Sequence, residues 1–114
     1  MTAPRFGRLD DGPRPEPGGE SFTGLLSTGG AVVERILSRA AASPPGFWYD
    51  QPRDEFVLLV SGGAALEFPD GTVTCLSPGD YAILPAHCRH RVAWTEAETL
   101  WLAVHLPEAA SGGG

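Results

Sequence analysis

Three polar side chains lie at the ends of apolar, strand-like segments and are the first candidates for chemistry. Glu55 begins the segment EFVLLV, His90 begins HRVAWT, and His105 lies near the end of TLWLAVHL. Imidazole suits Zn, Fe, Ni and Mn, and two histidines with one carboxylate are typical of non-haem iron sites. A carboxylate that faces an apolar interior is costly unless a metal or another cation compensates it. These residue types therefore indicate a divalent metal centre that could activate oxygen or polarise a carbonyl group.

Each of these side chains also has a structural interpretation. His90 alternates with Val92 and Trp94, which predicts that all three lie on an inward face, where a histidine could simply bond to a neighbour in the core. Glu55 could be solvated at the start of its strand, and His105 could be a hydrogen-bonded core residue. The spacing leaves both interpretations open for all three residues.

Aromatic side chains could form the walls of a cavity around these groups. Trp48 and Tyr49 precede Glu55, and Trp101 shares a predicted strand face with His105. Rings with polar tips are typical of small-molecule pockets, although the same residues also fill ordinary cores. The predicted pocket is lined by Trp48, Tyr49, Gln51, His87 and Trp101, with His87 in a loop at its mouth.

The composition excludes several classes of protein and partner. Eight basic residues, all of them arginine, stand against fourteen acidic residues in the 114-residue chain, giving a net charge of −6. Without a basic patch, neither nucleic acid nor an anionic membrane is expected as a partner. No apolar run approaches the roughly 20 residues that span a bilayer. The first residues lack the apolar core of a signal peptide, which predicts a cytoplasmic protein.

The elements that must position the candidate residues are short strands. From Ala31 onward, eight segments are rich in β-branched or aromatic residues and are bounded by turn residues. They are AVVERILSR, FWYD, EFVLLV, AALEF, TVTCL, YAILP, HRVAWT and TLWLAVHL. Pro69-Asp70-Gly71 predicts a hairpin turn between two of them. This pattern predicts an all-β fold, an antiparallel jelly-roll barrel.

The chain is long enough for one domain with two tails. Residues 1–20 combine eight Gly or Pro residues with seven charges, so they are predicted to be a mobile N-terminal tail. Residues 21–30 are expected to pack on the core as a short turn or helix. The barrel domain is predicted over residues 21–107, and residues 108–114 are predicted to be a C-terminal tail.

Two spaced motifs resemble those of the cupin superfamily. Glu55 is followed after six residues by Gly62, and Gly79 is followed after five residues by Pro85 and then by His90. These positions match the end of the first cupin motif and most of the second. The resemblance covers residues 46–105 and is strongest to small single-domain bacterial cupins. It implies a jelly-roll barrel with a metal site made of three histidines and one glutamate.

The chain departs from the cupin pattern at two places. Trp48-Tyr49-Asp50-Gln51 stands where the family has His-x-His, so the second histidine falls on Asp50 or Gln51. His87 stands where the second motif has a glycine, and a left-handed backbone is expected there because histidine tolerates it better than most residues. The metal ligands predicted for this chain are His90, Glu55, His105 and Asp50.

Three functions follow from this interpretation. The first is a cupin that binds Fe, Mn, Zn or Ni together with a small polar ligand, as a dioxygenase or an isomerase. The second is a metal-free small-molecule-binding or sensory module, which the loss of His-x-His favours. The third is a structural dimer without a ligand. Because similar small cupins pair through exposed strand edges, a homodimer is expected in each case.

Overall fold

Eight β-strands make up the regular structure of this computed structural model, which describes residues 3–108. The strands are β1 (Glu20–Thr28), β2 (Ala31–Ser38), β3 (Glu55–Ser61), β4 (Ala64–Glu67), β5 (Val73–Leu76), β6 (Tyr81–Leu84), β7 (Arg91–Thr95) and β8 (Thr99–His105). All of their pairings are antiparallel. Over the described range, no helix is long and apolar enough to cross a membrane. The prediction of an all-β fold with antiparallel strands is confirmed.

The strands form two sheets that share one core. The larger sheet has the order β1-β2-β8-β3-β6, and the smaller sheet has the order β5-β4-β7. Because side chains alternate between the faces of a strand, every second residue of a strand points into the core. The buried cluster draws on both sheets and consists of Val57, Leu59, Ala64, Leu66, Leu76, Leu84, Trp101 and Ala103. The inner face of the larger sheet therefore lies against the smaller sheet.

The segment before Gly29 is a strand, which corrects the expectation of a turn or helix over residues 21–30. β1 pairs along its length with β2. The two strands meet at Gly29 and Gly30, whose φ angles of 58° and 83° suit a tight hairpin turn. Since β1 is an edge strand with a single neighbour, it lacks the run of β-branched residues that marks a buried strand. Its sequence therefore carries only a weak strand signal.

The segment FWYD, predicted to be a strand, is instead a loop that is joined to His90 by one isolated β-bridge. Tyr49 and His90 pair through two backbone hydrogen bonds, of 2.7 and 3.2 Å, outside the named strands. The segment lies between Pro45 and Pro52, and prolines cannot donate to a strand ladder. Tyr49, one of the aromatic residues that suggested a strand, attaches this loop beside β7 through its backbone hydrogen bonds and through its ring, which stacks on His90.

Residues 3–19 make defined contacts although they form no strand. The Arg35 guanidinium donates to the carbonyl oxygens of Arg8 and Leu9, at 3.1 and 3.3 Å. Further along, the backbone N–H of Gly18 donates to the Arg39 carbonyl at 2.6 Å. The mobility predicted for residues 1–20 stays a prediction, and the predicted C-terminal tail lies outside the described residues from 109 onward.

We expect the protein to form a homodimer in solution. β6 is an edge strand of the larger sheet, and its outward side chains Tyr81 and Ile83 are exposed, with 65% of Ile83 accessible. Tyr81 stacks on Phe56 of the neighbouring strand with ring centroids 5.5 Å apart, which extends the apolar surface. Such an edge is usually covered by a partner. Light scattering at tens of micromolar protein should give twice the chain mass, and a monomer mass would contradict the expectation.

Candidate functional site

A cavity of about 100 Å³ lies on the inner face of the larger sheet. It is smaller than the engineered cavity of about 150 Å³ that holds a benzene molecule, so it suits a compact ligand. Its walls are mainly apolar, and several polar side chains converge on it. The lining residues are Glu20, Phe22, Glu34, Ile36, Tyr49, Gln51, Glu55, Val57, Leu66, Leu84, His90, Val92, Trp101 and His105.

Strand register brings the ionisable groups of the three central strands together. Glu55 on β3 lies directly opposite His105 on β8. Glu34 on β2 pairs with Ala103, two residues before His105. Because residues two apart on a strand share a face, Glu34, Glu55 and His105 all point to the same side of the sheet.

His105 stands between two carboxylates. Its Nε2 lies 3.2 Å from Glu34 Oε1, a distance at which an N–H donates to the carboxylate. Its Nδ1 lies 3.9 Å from Glu55 Oε2, which is an electrostatic contact but too long for a hydrogen bond. The imidazole therefore links a hydrogen-bonded carboxylate to one that is only electrostatically paired.

Burial raises the pKa of the Glu55 carboxyl above its ordinary value of 4.5. The nearby His105 and His90 oppose this increase, while the negative charge of Glu34 adds to it. Glu55 is only 7% exposed, so its ionised form gives up most of its hydration. A larger fraction of this carboxyl is therefore protonated near neutral pH than of an exposed glutamate, which suits exchange of a proton with a ligand.

The pKa of Glu55 leads to a prediction about stability. A raised folded-state pKa gives a contribution to stability that is fully present below the ordinary value of 4.5 and is lost as the pH rises through the folded-state pKa. Glu55→Gln removes this loss, so the variant should become more stable than the wild type as the pH rises. Urea unfolding between about pH 4 and about pH 8 measures the difference, and a variant that loses stability at neutral pH would contradict the assigned environment.

His90 and Tyr49 form the wall of the cavity opposite the central strands. His90 Nδ1 lies 2.9 Å from the carbonyl oxygen of Cys88, which can only accept, so Nδ1 carries a hydrogen. The imidazole ring stacks on Tyr49 with centroids 5.3 Å apart. Burial and the charges of Glu20, Glu55 and Glu34 raise the pKa of Tyr49 above 10.0, so its hydroxyl stays protonated and can donate.

A chain of hydrogen bonds fixes the far end of the cavity. Trp101 Nε1 donates to Ser38 Oγ at 3.0 Å, and Ser38 Oγ donates to Glu20 Oε2 at 2.5 Å. The indole and the carboxylate both line the cavity, and each is held in place through the buried serine. Glu20 is therefore part of a built wall and not a freely moving surface side chain.

Three of the predicted site residues lie outside the cavity. The Asp50 carboxylate accepts a hydrogen bond from His87 Nδ1 at 2.8 Å, and both side chains are largely exposed. Trp48 lies beneath the Arg89 guanidinium, 5.8 Å from its carbon. Gln51, the alternative to Asp50, does line the cavity. His87 has a φ of 62°, so the expected left-handed backbone is confirmed.

The structure brings together six of the nine predicted site residues, and it adds two that the sequence analysis missed. The six are Glu55, His90, His105, Gln51, Tyr49 and Trp101. The missed residues are Glu34 and Glu20. The signal for Glu34 was present, because a carboxylate two residues before Ile36 in an apolar strand must share its inward face. No comparable signal existed for Glu20, which begins the edge strand.

Simple alternation gave one wrong orientation. Trp94 was expected to face inward with His90 and Val92, but it is 43% exposed. The register of β4 and β7 shifts, since Ala65 pairs with Trp94 while Leu66 pairs with Val92. This β-bulge inserts one extra residue and turns the following side chains to the opposite face.

The cavity residues do not form a metal site as they are arranged. A divalent metal needs several donor atoms within about 2.0 to 2.6 Å of one point. Over residues 3–108, no three His, Cys, Asp or Glu side chains are grouped closely enough to hold an ion. His105 directs both ring nitrogens at carboxylates, and Asp50 is turned away to His87. Glu55, His90 and His105 line one cavity, but Asp50 lies outside it, so the predicted set of four ligands is not assembled.

Comparison with known proteins identifies the family. A family model described as a cupin domain matches residues 40–105, more than half of the chain. No curated protein matches the chain. The chain belongs to the cupin family, and its two antiparallel sheets are consistent with the cupin jelly roll.

Solved structures agree with this assignment. A protein of Ralstonia eutropha JMP134, provisionally named a mannose-6-phosphate isomerase, is 50% identical, with a TM-score of 0.84 over 91% of this chain and 99% of that one. KdgF of Halomonas is 24% identical, with a TM-score of 0.68 over 82% of this chain and 84% of that one. A cupin superfamily protein of Desulfitobacterium hafniense is 17% identical, with a TM-score of 0.70 over 82% and 83%. The last two similarities concern the fold alone.

Proposed function

We propose that this cupin binds a small polar molecule in its cavity and transfers a proton on it, as an isomerase does, with Glu55 as the acid–base group. One observation carries the proposal, namely that the nine-tenths buried Glu55 carboxyl faces both the cavity and His105. The raised pKa of Glu55 supports the role, because an acid–base group works best when its pKa lies near the working pH. The provisional name of the 50% identical relative also favours an isomerase.

The residues of the cavity supply the parts of such a reaction. The Glu55 carboxylate removes the proton from the hydroxyl-bearing carbon next to a carbonyl group, and the resulting carboxyl delivers that proton to the former carbonyl carbon. The proton of the hydroxyl group passes to the former carbonyl oxygen, so that a hydroxy aldehyde and a hydroxy ketone interconvert. The Tyr49 hydroxyl donates a hydrogen bond to the carbonyl oxygen as negative charge develops on it. His105, whose Nε2 is held by Glu34, keeps Nδ1 directed at the Glu55 carboxyl, and its imidazole stabilises the charged form of Glu55 when the ring is protonated.

A bound divalent metal is consistent with membership of the family, but the arrangement of donors in this chain does not support one. We therefore propose that the activity needs no metal ion, and we expect elemental analysis to find well below one equivalent of Fe, Mn, Zn or Ni per chain. The protein should be purified without an affinity column that carries metal. One ion per chain that survives dialysis against a chelator would overturn the metal-free proposal.

A binding module without turnover is the second candidate. The Tyr49–His90 stack favours it, because stacked rings can recognise a ligand without reacting with it. The loss of His-x-His also favours it, because the chain lacks two of the residues that hold a catalytic metal in the cupin pattern. The two candidates share the cavity and differ only in whether Glu55 moves a proton.

Solvent deuterium exchange separates the two candidates. The protein is incubated in D₂O with a panel of hydroxy aldehydes and hydroxy ketones, from glyceraldehyde to mannose and mannose 6-phosphate, and proton NMR follows loss of the signal next to the carbonyl. We expect at least one compound to exchange faster with the wild type than with Glu55→Gln. If none does, the proton-transfer proposal is wrong and the binding module is retained.

A further inference from the structure

The cavity carries negative charge without a fixed positive charge. Glu20, Glu34 and Glu55 line it, whereas none of the arginines that the structure describes does so. The sequence contains no lysine. Arg53 and Arg35, for example, form their hydrogen bonds outside the cavity, where they donate to the backbone carbonyl oxygens of Leu106 and Arg8. A phosphate or carboxylate group would therefore find no guanidinium or ammonium partner here. The two imidazoles of the cavity already face other acceptors, His90 the Cys88 carbonyl oxygen and His105 the carboxylates of Glu34 and Glu55.

The Glu55 carboxylate faces the cavity without a hydrogen bond of its own. Across the part of the chain that the structure describes, its side chain is about nine-tenths buried and accepts no hydrogen bond, and its ion-pair partner His105 Nδ1 lies 3.9 Å away. The oxygens are not sealed from the cavity, since they are not among the fully buried polar atoms that lack a partner. A hydrogen-bond donor that enters the cavity can therefore reach this carboxylate.

Carboxylates from three strands face the cavity together. Glu20 on β1, Glu34 on β2 and Glu55 on β3 all line it. A cation in a cavity of about 100 Å³ lies close to each of these carboxylates and gains attraction from each, whereas an anion is repelled by each.

The cavity that holds these carboxylates also has aromatic walls. Phe22, Tyr49 and Trp101 line the same cavity, and the indole of Trp101 is held by its hydrogen bond to Ser38. Aromatic faces attract ammonium groups through their electron-rich rings. Carboxylates together with aromatic walls and no basic side chain are the elements of a site for an organic cation.

We infer that the ligand of this cavity is a small primary ammonium compound, whose N–H groups donate to Glu55 and whose charge is balanced by Glu34 and Glu20. The inference rests on the proposed function in placing the ligand in the same cavity, and it names the class of that ligand. An ammonium group beside the carbonyl would also offset the negative charge that builds up on the substrate during proton removal. The inference predicts that mannose 6-phosphate is a poor ligand of this chain, although a relative is provisionally named for that substrate.

Three probes of nearly equal size but different charge test the inference. Ethylammonium, ethanol and acetate are titrated into the full chain at constant ionic strength and in the presence of a chelator, while NMR follows the Trp101 indole N–H. Inorganic phosphate is a fourth probe. A charge-assisted hydrogen bond is worth more than about 1.4 kcal/mol, so ethylammonium should bind at least about tenfold more tightly than ethanol, and acetate and phosphate should not saturate the signal.

Matched glutamine variants identify the carboxylates that act. Glu34→Gln should weaken ethylammonium binding about fivefold or more, whereas Glu98→Gln on the exposed surface should leave it unchanged. The amide NMR spectrum of each variant shows that it is folded. Saturable binding of acetate or phosphate, equal binding of ethanol and ethylammonium, or no saturable binding of any probe would each overturn the inference. Proton exchange is measured separately, so loss of the proposed reaction with retained ammonium binding distinguishes the two failures.

Discussion

Glu55→Gln should lower the rate of deuterium exchange on the best compound of the panel by about 100-fold or more. Glutamine keeps the size of the side chain but cannot take up a proton, and acid–base groups of this kind contribute about 100-fold to 10,000-fold to a rate. The matched control is Glu98→Gln, since the Glu98 side chain is exposed and forms an ion pair with Arg14 on the surface, away from the cavity. Proton NMR in D₂O measures both variants beside the wild type.

The stability of the same variant separates catalysis from folding. If Glu55→Gln is inactive because it unfolds, its denaturation midpoint will fall, whereas the buried charge predicts a midpoint that rises at neutral pH. A variant that is stable and keeps more than about a tenth of the wild-type rate would remove Glu55 from the proposed mechanism.

Gly62→Ala should destabilise the fold by on the order of 3 kcal/mol. Gly62 has a φ of 88°, and a Cβ there would lie 2.4 Å from the Glu98 carbonyl oxygen and 2.5 Å from Thr99 Oγ1. The left-handed backbone and the steric overlap each add strain, and the atoms that must move are backbone or buried. Urea unfolding measures the free energy of unfolding directly.

Gly71→Ala is the control for this substitution. Gly71 has nearly the same φ, 89°, but a Cβ there meets no atom within 4 Å. It should therefore cost only the backbone strain, about 1 kcal/mol. Equal losses of unfolding free energy at the two positions would contradict this account. They would show that the close approach of the turn between β3 and β4 to Glu98 and Thr99 does not constrain the fold.

Strand alternation predicted the centre of the site because β3 and β8 are regular there. Glu55 and His105 pair directly, and the two-residue period places both on the inward face beside Trp101. His90 reaches the same cavity from the start of β7. The two-residue alternation of a strand depends only on residues that are close in sequence. It therefore identified which residues face inward, but not which carboxylate each histidine contacts.

The sequence failed where the local pattern is interrupted or where partners come from distant strands. The bulge in β7 turns Trp94 outward, and the loop of Trp48–Gln51 turns Asp50 to His87 while Gln51 faces the cavity. Neither the bulge nor the loop path leaves a periodic signal. Glu34 meets His105 only after β2 pairs with β8, which depends on the order of the strands.

Family membership fixes the fold and leaves the chemistry to the site. Gly62 and Gly79, which match the two cupin motifs, have positive φ angles of 88° and 95°. Glycine is favoured at these turns because of the backbone conformation, and not because of any role in the chemistry. Glu55 and His90 match the ligand-bearing positions of the cupin pattern, whereas Trp48-Tyr49-Asp50-Gln51 replaces its His-x-His pair. Because one fold supports many functions, the acid–base proposal depends on Glu55 and its neighbours.

Titration of the Glu55 side-chain carboxyl by carbon-detected NMR tests the central claim most directly. The ordinary glutamate value of 4.5 serves as the reference, and the titration is repeated with a chelator present. The proposed site predicts a Glu55 midpoint above this value, unchanged by the chelator, because burial disfavours the charged form and no metal ion holds it. A Glu55 midpoint at or below the ordinary value, or one that shifts when the chelator is added, would contradict a metal-free acid–base cavity.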